Sequence, residues 1–254
     1  MRGRVRRAAA LLCGALLFLG FCGLGVWQLQ RLAWKLDLIA RTEARVHAPA
    51  TPPPGPAAWT ALSARSDEYR RVRISGTFDN ARETLVQAVT EAGPGYWVMT
   101  PLRADAGYTV LVNRGFVPES LSAAASRQPG LSAGPTSVTG LLRMSEPGGG
   151  FLRANQPAAG RWYSRDVAAI GGARGLVRLA PYFVDADATP NIGGWPRGGL
   201  TVVHFRNSHL IYAMTWFALA AMVALWGAWP SVEAARARRR LSRAEFAPAH
   251  GSTT

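Results

Sequence analysis

The 254 residues leave room for one medium domain plus membrane segments. The only cysteines, Cys13 and Cys22, fall in an N-terminal apolar run, so the remainder offers no disulfide, no thiolate metal site and no cysteine nucleophile. The net charge of +14 points toward nucleic acid, but four arginines lie in residues 1–7 and five Arg against two Glu in residues 230–254. Half of the excess therefore sits in two short tails, no basic stripe is interleaved with aromatics, and a nucleic-acid partner is excluded.

Residues 1–7 form a basic tail, and residues 8–29 are uncharged. At ~1.5 Å per residue this run spans the ~30 Å core of a bilayer. It exceeds the ~7–15 residues of a signal-peptide apolar region, and the WQLQRLAWK that follows lacks a small-x-small cleavage pattern, so an uncleaved anchor is expected. Cys13 and Cys22 stand about 2.5 turns apart and face opposite ways.

Helical spacing continues through residues 30–45, a helical extension at the outer interface. Trp27, Arg31, Trp34, Leu38 and Arg45 make one stripe, and Gln28, Leu32, Lys35 and Ile39 make another. Trp27 and Trp34 suit an interfacial aromatic belt. Arg31 and Lys35 are either snorkelling cations or a greeting for an anionic group at the surface. Residues 46–60 are a linker, because three successive prolines forbid helix and favour an extended segment. His47, within it, is expected to be solvated and without a partner.

Residues 61–206 read as short strands at 71–78, 83–89, 96–102, 108–116, 137–143, 181–187 and 201–205, rich in β-branched and aromatic residues and punctuated by turn formers. One short helix is expected over residues 164–170 with Ser164 as its cap. Strands outnumber helices, so an antiparallel sheet or small barrel is expected rather than a doubly wound fold. The fold class is thus a membrane protein of α+β type, with N- and C-terminal transmembrane helices flanking a mainly antiparallel β extramembrane domain.

Chemistry-bearing patterns in that domain are weak. Asn113–Arg114–Gly115 lacks the frame of a nucleophile elbow and reads as a strand-ending turn, with Arg114 bonded to backbone or a carboxylate. Asp185 and Asp187, two apart, share a strand face and make only a weak metal pair. The glycines form no nucleotide fingerprint, and nothing points His47 or His204 toward a triad. The domain does not read as an enzyme, and no catalytic residue is assigned.

Residues 207–229 form the second membrane run, uncharged from Leu210 to Trp229, and residues 230–254 form a second basic tail. Basic tails at both ends place both termini in the cytoplasm and the central domain on the opposite face. His209, Tyr212 or Ala213, Trp216 and Ala220 stack on one helix face. Two readings stand side by side. The face seats a flat, apolar, metal-bearing ligand, or Trp216 packs on another helix while His209 and Tyr212 are interfacial polar residues.

Six blocks occur in order: GVWQLQRLAWKLDLI (25–39), SGTFD (75–79), TPL through VLVNRGFVP (100–118), GLLR (140–143), RWYSRD (161–166) and NSHLIYAMTWFALA (207–220). In these the chain resembles the surfeit locus protein family of cytochrome c oxidase assembly factors. It departs from the family pattern at Phe116, where Trp is usual, and at Ser208, where a second Asn is common.

The resemblance implies a multi-pass protein of the bacterial inner membrane with a periplasmic central domain. It also implies a carrier or chaperone that binds haem a transiently through His209, an axial ligand to the haem iron, and helps insert it into the oxidase catalytic subunit. Imidazole suits that role. The porphyrin would lie along Tyr212 and Trp216, and its propionates would face Arg31, Lys35 or Arg206 beside Trp27. Partners would be the catalytic subunit, haem a synthase and the lipid bilayer. The competing reading is a haem-free scaffold for an assembly intermediate. Asn113, Arg114, Trp162 and Tyr163 serve either a partner surface or the fold.

Overall fold

An unbroken helix, α1 (Arg2–His47), takes in the first apolar run and the extension beyond it. The computed structural model describes residues 2–131, 134–150, 152–201 and 207–245. It resolves into two units, Met1–Ile39 with Phe205–Thr254, and Ala40–His204. His47 is exposed, as expected, but it is not without a partner. It closes the last turn of α1, where its Nδ1 meets the Glu43 carbonyl at 3.0 Å and the Glu43 carboxylate at 3.4 Å, an i,i+4 encounter.

In the second unit, the proline segment gives way to a 3-10 turn, Pro56–Ala61, and Trp59 Nε1 donates back to the Pro54 carbonyl at 3.1 Å. A one-turn helix, α2 (Ala64–Asp67), is capped by Ser63. Six strands follow among the described residues: β1 (Arg71–Phe78), β2 (Thr84–Thr90), β3 (Gly93–Ala104), β4 (Thr109–Pro118), β5 (Pro135–Met144) and β6 (Leu179–Ala186). A seven-residue helix, α3 (Val167–Ala173), lies between the last two strands.

The strand order is β1-β5-β6-β4-β3-β2, and β1 also pairs with β3. That pairing, Gly76↔Ala104 to Phe78↔Leu102, closes β1, β5, β6, β4 and β3 into a ring, with β2 added outside β3. Among the described strands each strand-to-strand pairing is antiparallel except β4 with β6, which places Asn113 opposite Asp185. The small-barrel form of the expectation is therefore the one found. Closure needs a close crossing: a Cβ on Gly76 would meet the Arg103 carbonyl oxygen at 2.2 Å.

Strand alternation sorts the side chains into two cores. Val110 and Val112 of β4 join Val72, Leu102, Leu142, Tyr182 and Val184 in one, while Leu111 joins Val86, Met99, Phe183 and the α3 residues Val167 and Ile170 in the other. Tyr182 is buried, with its hydroxyl donating to the Pro54 carbonyl at 2.8 Å. Burial pushes that phenol far above its usual range, reinforced by the Tyr108 hydroxyl.

Three expectations shift. The cap of α3 is Asp166, whose Oδ1 accepts from the Ala169 amide at 3.1 Å. Ser164 instead accepts from the Gly149 amide and the Asn155 carboxamide. β4 does not end at Arg114 but runs to Pro118, with Gly115 at φ +123 where the Arg197 carbonyl presses in and its oxygen accepts from the Phe116 amide. The expected strand over 201–205 lies outside the described residues from 202 onward, as do His204 and Arg206.

In the first unit, α4 (His209–Glu245) carries the second apolar run. Both α1 and the His209–Pro230 part of α4 are long and apolar enough to cross a membrane. The two run antiparallel. His209 meets Gln28, Trp216 meets Phe21, and residues 223–227 line one cavity with residues 10–18. Small residues set the approach: Ala213 and Ala220 are buried, and a Cβ on Gly25 would meet the Phe217 ring at 2.7 Å.

Candidate functional site

The start of α4 organises the site. Asn207 Oδ1 accepts from the His209 amide at 3.4 Å, so a carboxamide satisfies one of the unpaired donors at the helix start. The first helical bond runs from the Tyr212 amide to the Ser208 carbonyl.

The imidazole of His209 turns toward α1. Its Nδ1–H donates to the Gln28 side-chain oxygen at 2.8 Å, and Gln28 is only 9% exposed. A hydrogen bond of this kind selects the tautomer of a neutral imidazole and leaves the other nitrogen with its lone pair. Nε2 has no protein partner among the described residues, so the residue presents a nitrogen that could ligate a metal, oriented from behind.

The six residues singled out from sequence separate into three groups. His209 and Trp216 lie on the seam between the helices, where Trp216 stacks on Phe21 with centroids 5.7 Å apart and planes 25° apart. Lys35, half-buried, shares the Gln28 face of α1 two turns further on. Tyr212 and Trp27 are exposed, at 55% and 53%, and Ala213 rather than Tyr212 occupies the seam. Arg31 is exposed and covers the Trp34 ring at 4.4 Å, a cation–π contact along its own helix.

Gln28 is the residue that sequence reasoning passed over. The signal was present, since an amide inside an apolar run needs a partner. It stands in the stripe of Leu32, Lys35 and Ile39, beside the more conspicuous Trp27–Arg31 stripe.

The second unit holds a different polar centre. Asp185, 3% exposed, accepts from Arg143 Nη1 at 3.0 Å, Arg165 Nη1 at 3.1 Å, Asn113 Nδ2 at 2.8 Å and Thr201 Oγ1 at 3.0 Å. Glu146 takes two further bonds from Arg165, and Glu68 one from Arg143. Burial works against the Arg143 charge, but Asp185 outweighs it together with Tyr69, Glu68 and Glu146, and holds that guanidinium above its ordinary range. Asp187 is not part of this centre; its Oδ1 accepts from Thr189. The aspartate pair is thus an arginine-bound carboxylate and a loop contact, not a shared metal face.

Asn113 and Trp162 serve the fold. The first ties β4 to β6 through Asp185, and the second is buried in the outer core, with its carbonyl accepting from the Gln87 amide at 2.8 Å. Tyr163 is held through its amide by Asn155, with Arg153 over its ring at 5.6 Å.

Comparison with known proteins covers most of the chain. The SURF1 family profile matches residues 15–221. Human surfeit locus protein 1 is 37% identical over 222 residues, which is 80% of this chain and 72% of that protein. The rat protein of the same name is 38% identical over 80% of this chain and 70% of its own. A SURF1-like protein of Monosiga brevicollis is 37% identical over 80% and 81% respectively.

Proposed function

Because the chain belongs to the SURF1 family, we propose that it is an assembly factor for cytochrome c oxidase that receives haem a at His209 and passes it toward the catalytic subunit. The observation that carries this reading is the imidazole itself: Nδ1–H is committed to Gln28, and Nε2 is left for a metal. The donor set suits haem iron, for which a single neutral imidazole is a common axial ligand. Haem a, when bound, supplies the iron and the porphyrin destined for the oxidase. His209 holds it, Gln28 orients His209, and Lys35 on the Gln28 face offers a positive charge to a propionate.

Carriage requires release. One strong ligand, with the rest of the hold supplied by apolar surface, fits a protein that must give its cargo up. The basic tails favour an orientation with both termini in the cytoplasm, and on this reading the cell is bacterial and the barrel periplasmic. Haem a synthase is the natural donor partner and the oxidase catalytic subunit the acceptor.

A haem-free scaffold is the second reading. The observation favouring it is the Phe21–Trp216 stack, which gives Trp216 a packing role without any ligand. The deciding experiment is an absorption spectrum of the protein purified in mild detergent from cells that make haem a, beside His209→Ala. A Soret band and reduced α-band lost in the variant support carriage with His209 as ligand. A band that survives moves the ligand elsewhere, and no band in either folded protein leaves the scaffold.

A further inference from the structure

Arg114 sits at one end of the barrel, on the β4 face that also carries Val110 and Val112, and is 3% exposed. Its Nη2 donates to the Gly130 carbonyl and to Asn191 Oδ1 at 3.3 Å, and its Nη1 to Asn80 Oδ1 at 3.4 Å. The guanidinium lies 4.7 Å over the Phe78 ring. All of these partners are neutral, and Nε is buried with no acceptor among the described residues. A guanidinium has five N–H donors, so three bonds leave two unspent.

The acid that acts on Arg114 is already engaged. Glu83 binds Arg127 at 2.7 Å through Nη2, a pair buried on both sides, and Arg127 also donates to the Leu121 and Ser122 carbonyls. Burial lowers the Arg114 pKa, with Glu83 opposing and Arg127 reinforcing the fall. Arg114, Arg127 and Glu83 together leave one positive charge inside the protein. A buried charge without a counter-charge is costly, and a bound anion is the direct remedy.

Space for one exists. Arg114 lines an open cavity of ≈ 210 Å³ with Phe78, Thr136, Ser137, Thr139 and Asn191. Asp187 also lines it, with its Oδ1 held by the Thr189 amide at 3.0 Å and hydroxyl at 2.5 Å. Those bonds turn Asp187 to its own loop rather than to Arg114, and one carboxylate matches the single unbalanced guanidinium where a doubly charged phosphate overshoots it.

We propose that this cavity binds one carboxylate group, with Arg114 as its counter-charge and Thr136, on the Val138 face of β5, as a hydroxyl donor in its wall. The carboxylate comes either from a free small acid or from the C-terminus of a partner polypeptide. This site is independent of the haem reading and stands or falls without it.

The test titrates ¹³C-acetate into the full-length protein in mild detergent, at ionic strength fixed with chloride, and reads saturable line broadening. Arg114→Met keeps the side-chain stem and removes the charge. Ile192→Trp fills the rim of the same cavity at a residue that is 76% exposed, so the fold is spared. Saturable binding, at least about tenfold weaker in both variants, supports the site. Where Arg114→Met does not fold, Ile192→Trp decides. No saturable binding, or equal binding in the folded variants, overturns the proposal. So does inorganic phosphate displacing acetate at equal concentration. A tetrapeptide with a free C-terminus that binds tighter than both acetate and its amidated form supports the site and assigns it to a polypeptide partner. Equal binding of peptide and acetate supports the site as one for a free acid.

Discussion

His209 and Gln28 lie 181 positions apart in the chain, yet the Nδ1–H of one is 2.8 Å from the side-chain oxygen of the other. The bond does two things at once. It ties the start of α4 to α1, and it settles which imidazole nitrogen is offered outward. Replacing Gln28 by Leu keeps the bulk and removes the acceptor. On the haem reading, haem retention falls by roughly tenfold or more, the usual effect of losing such a supporting bond. Gln28→Glu strengthens the acceptor, makes the imidazole a better donor to iron and lowers the reduction potential of the bound haem. Haem content and a redox titration of the three proteins check this.

Asp185 is the anion on which two arginines converge. Asp185→Asn preserves shape but leaves Arg143 and Arg165 facing each other with less negative charge between them. A loss of about 3–5 kcal/mol is expected, as when one partner of a buried ion network is removed. Denaturant unfolding of the purified protein, followed by near-ultraviolet circular dichroism, measures it. An Asp187→Asn control stays within about 0.5 kcal/mol, since that carboxylate makes only local loop contacts.

Acid sensitivity has an identifiable contributor in Asp67. Burial raises its pKa, but the Ser66 hydroxyl, the Ser63 amide and Arg70 outweigh that and hold it below the ordinary 3.8. A carboxylate depressed in the folded state contributes stability that is fully present above its unfolded pKa and is lost as pH falls through the folded one. The melting temperature of the wild type should therefore fall more steeply than that of Asp67→Asn below about pH 4. The two slopes should coincide above about pH 5.

Gly76 tests the ring closure. A methyl group there meets the Arg103 carbonyl oxygen at 2.2 Å, and backbone cannot step aside as a side-chain tip can. Gly76→Ala should separate β1 from β3 and cost several kcal/mol, more than the roughly 1 kcal/mol typical of a point substitution. Hydrogen exchange at the β1–β3 pairing is expected to accelerate, while the β2–β3 amides stay protected. Uniform loss of protection across the sheet would show that closure is not a separable step.

Much of the architecture was legible because it rests on local pattern. The alternation of Val72, Ile74 and Phe78, and the β-branched and apolar run Val110–Leu111–Val112 of β4, announce strands without any knowledge of their neighbours. What escaped depends on distance. Ser164 and Asp166 are equally good caps two residues apart, and only the entry of the chain into α3 chooses between them. Asp185 beside Asp187 resembles a metal pair until Arg143 and Arg165 arrive from other elements. At the candidate site, His209 was visible as an isolated histidine at the head of an apolar helix. Gln28 signalled only that it needs a partner, because nothing within its own stretch of sequence reveals which residue that is.

The parallel pairing of β4 with β6 makes the last strand the keystone of the ring. Among the described residues β6 alone joins β4 to β5, and it is the last of the described strands to be made. Until the ribosome has passed Ala186, β4 and β5 each present a bare edge, an adhesive template for other chains. The α4 anchor follows only some twenty residues later. The growing polypeptide is therefore tethered by α1 through its most aggregation-prone interval and seals itself shortly before its second tether is made. A premature stop anywhere before β6 yields not a shortened barrel but an unclosed sheet fixed to the membrane, a form that quality-control proteases are well placed to remove.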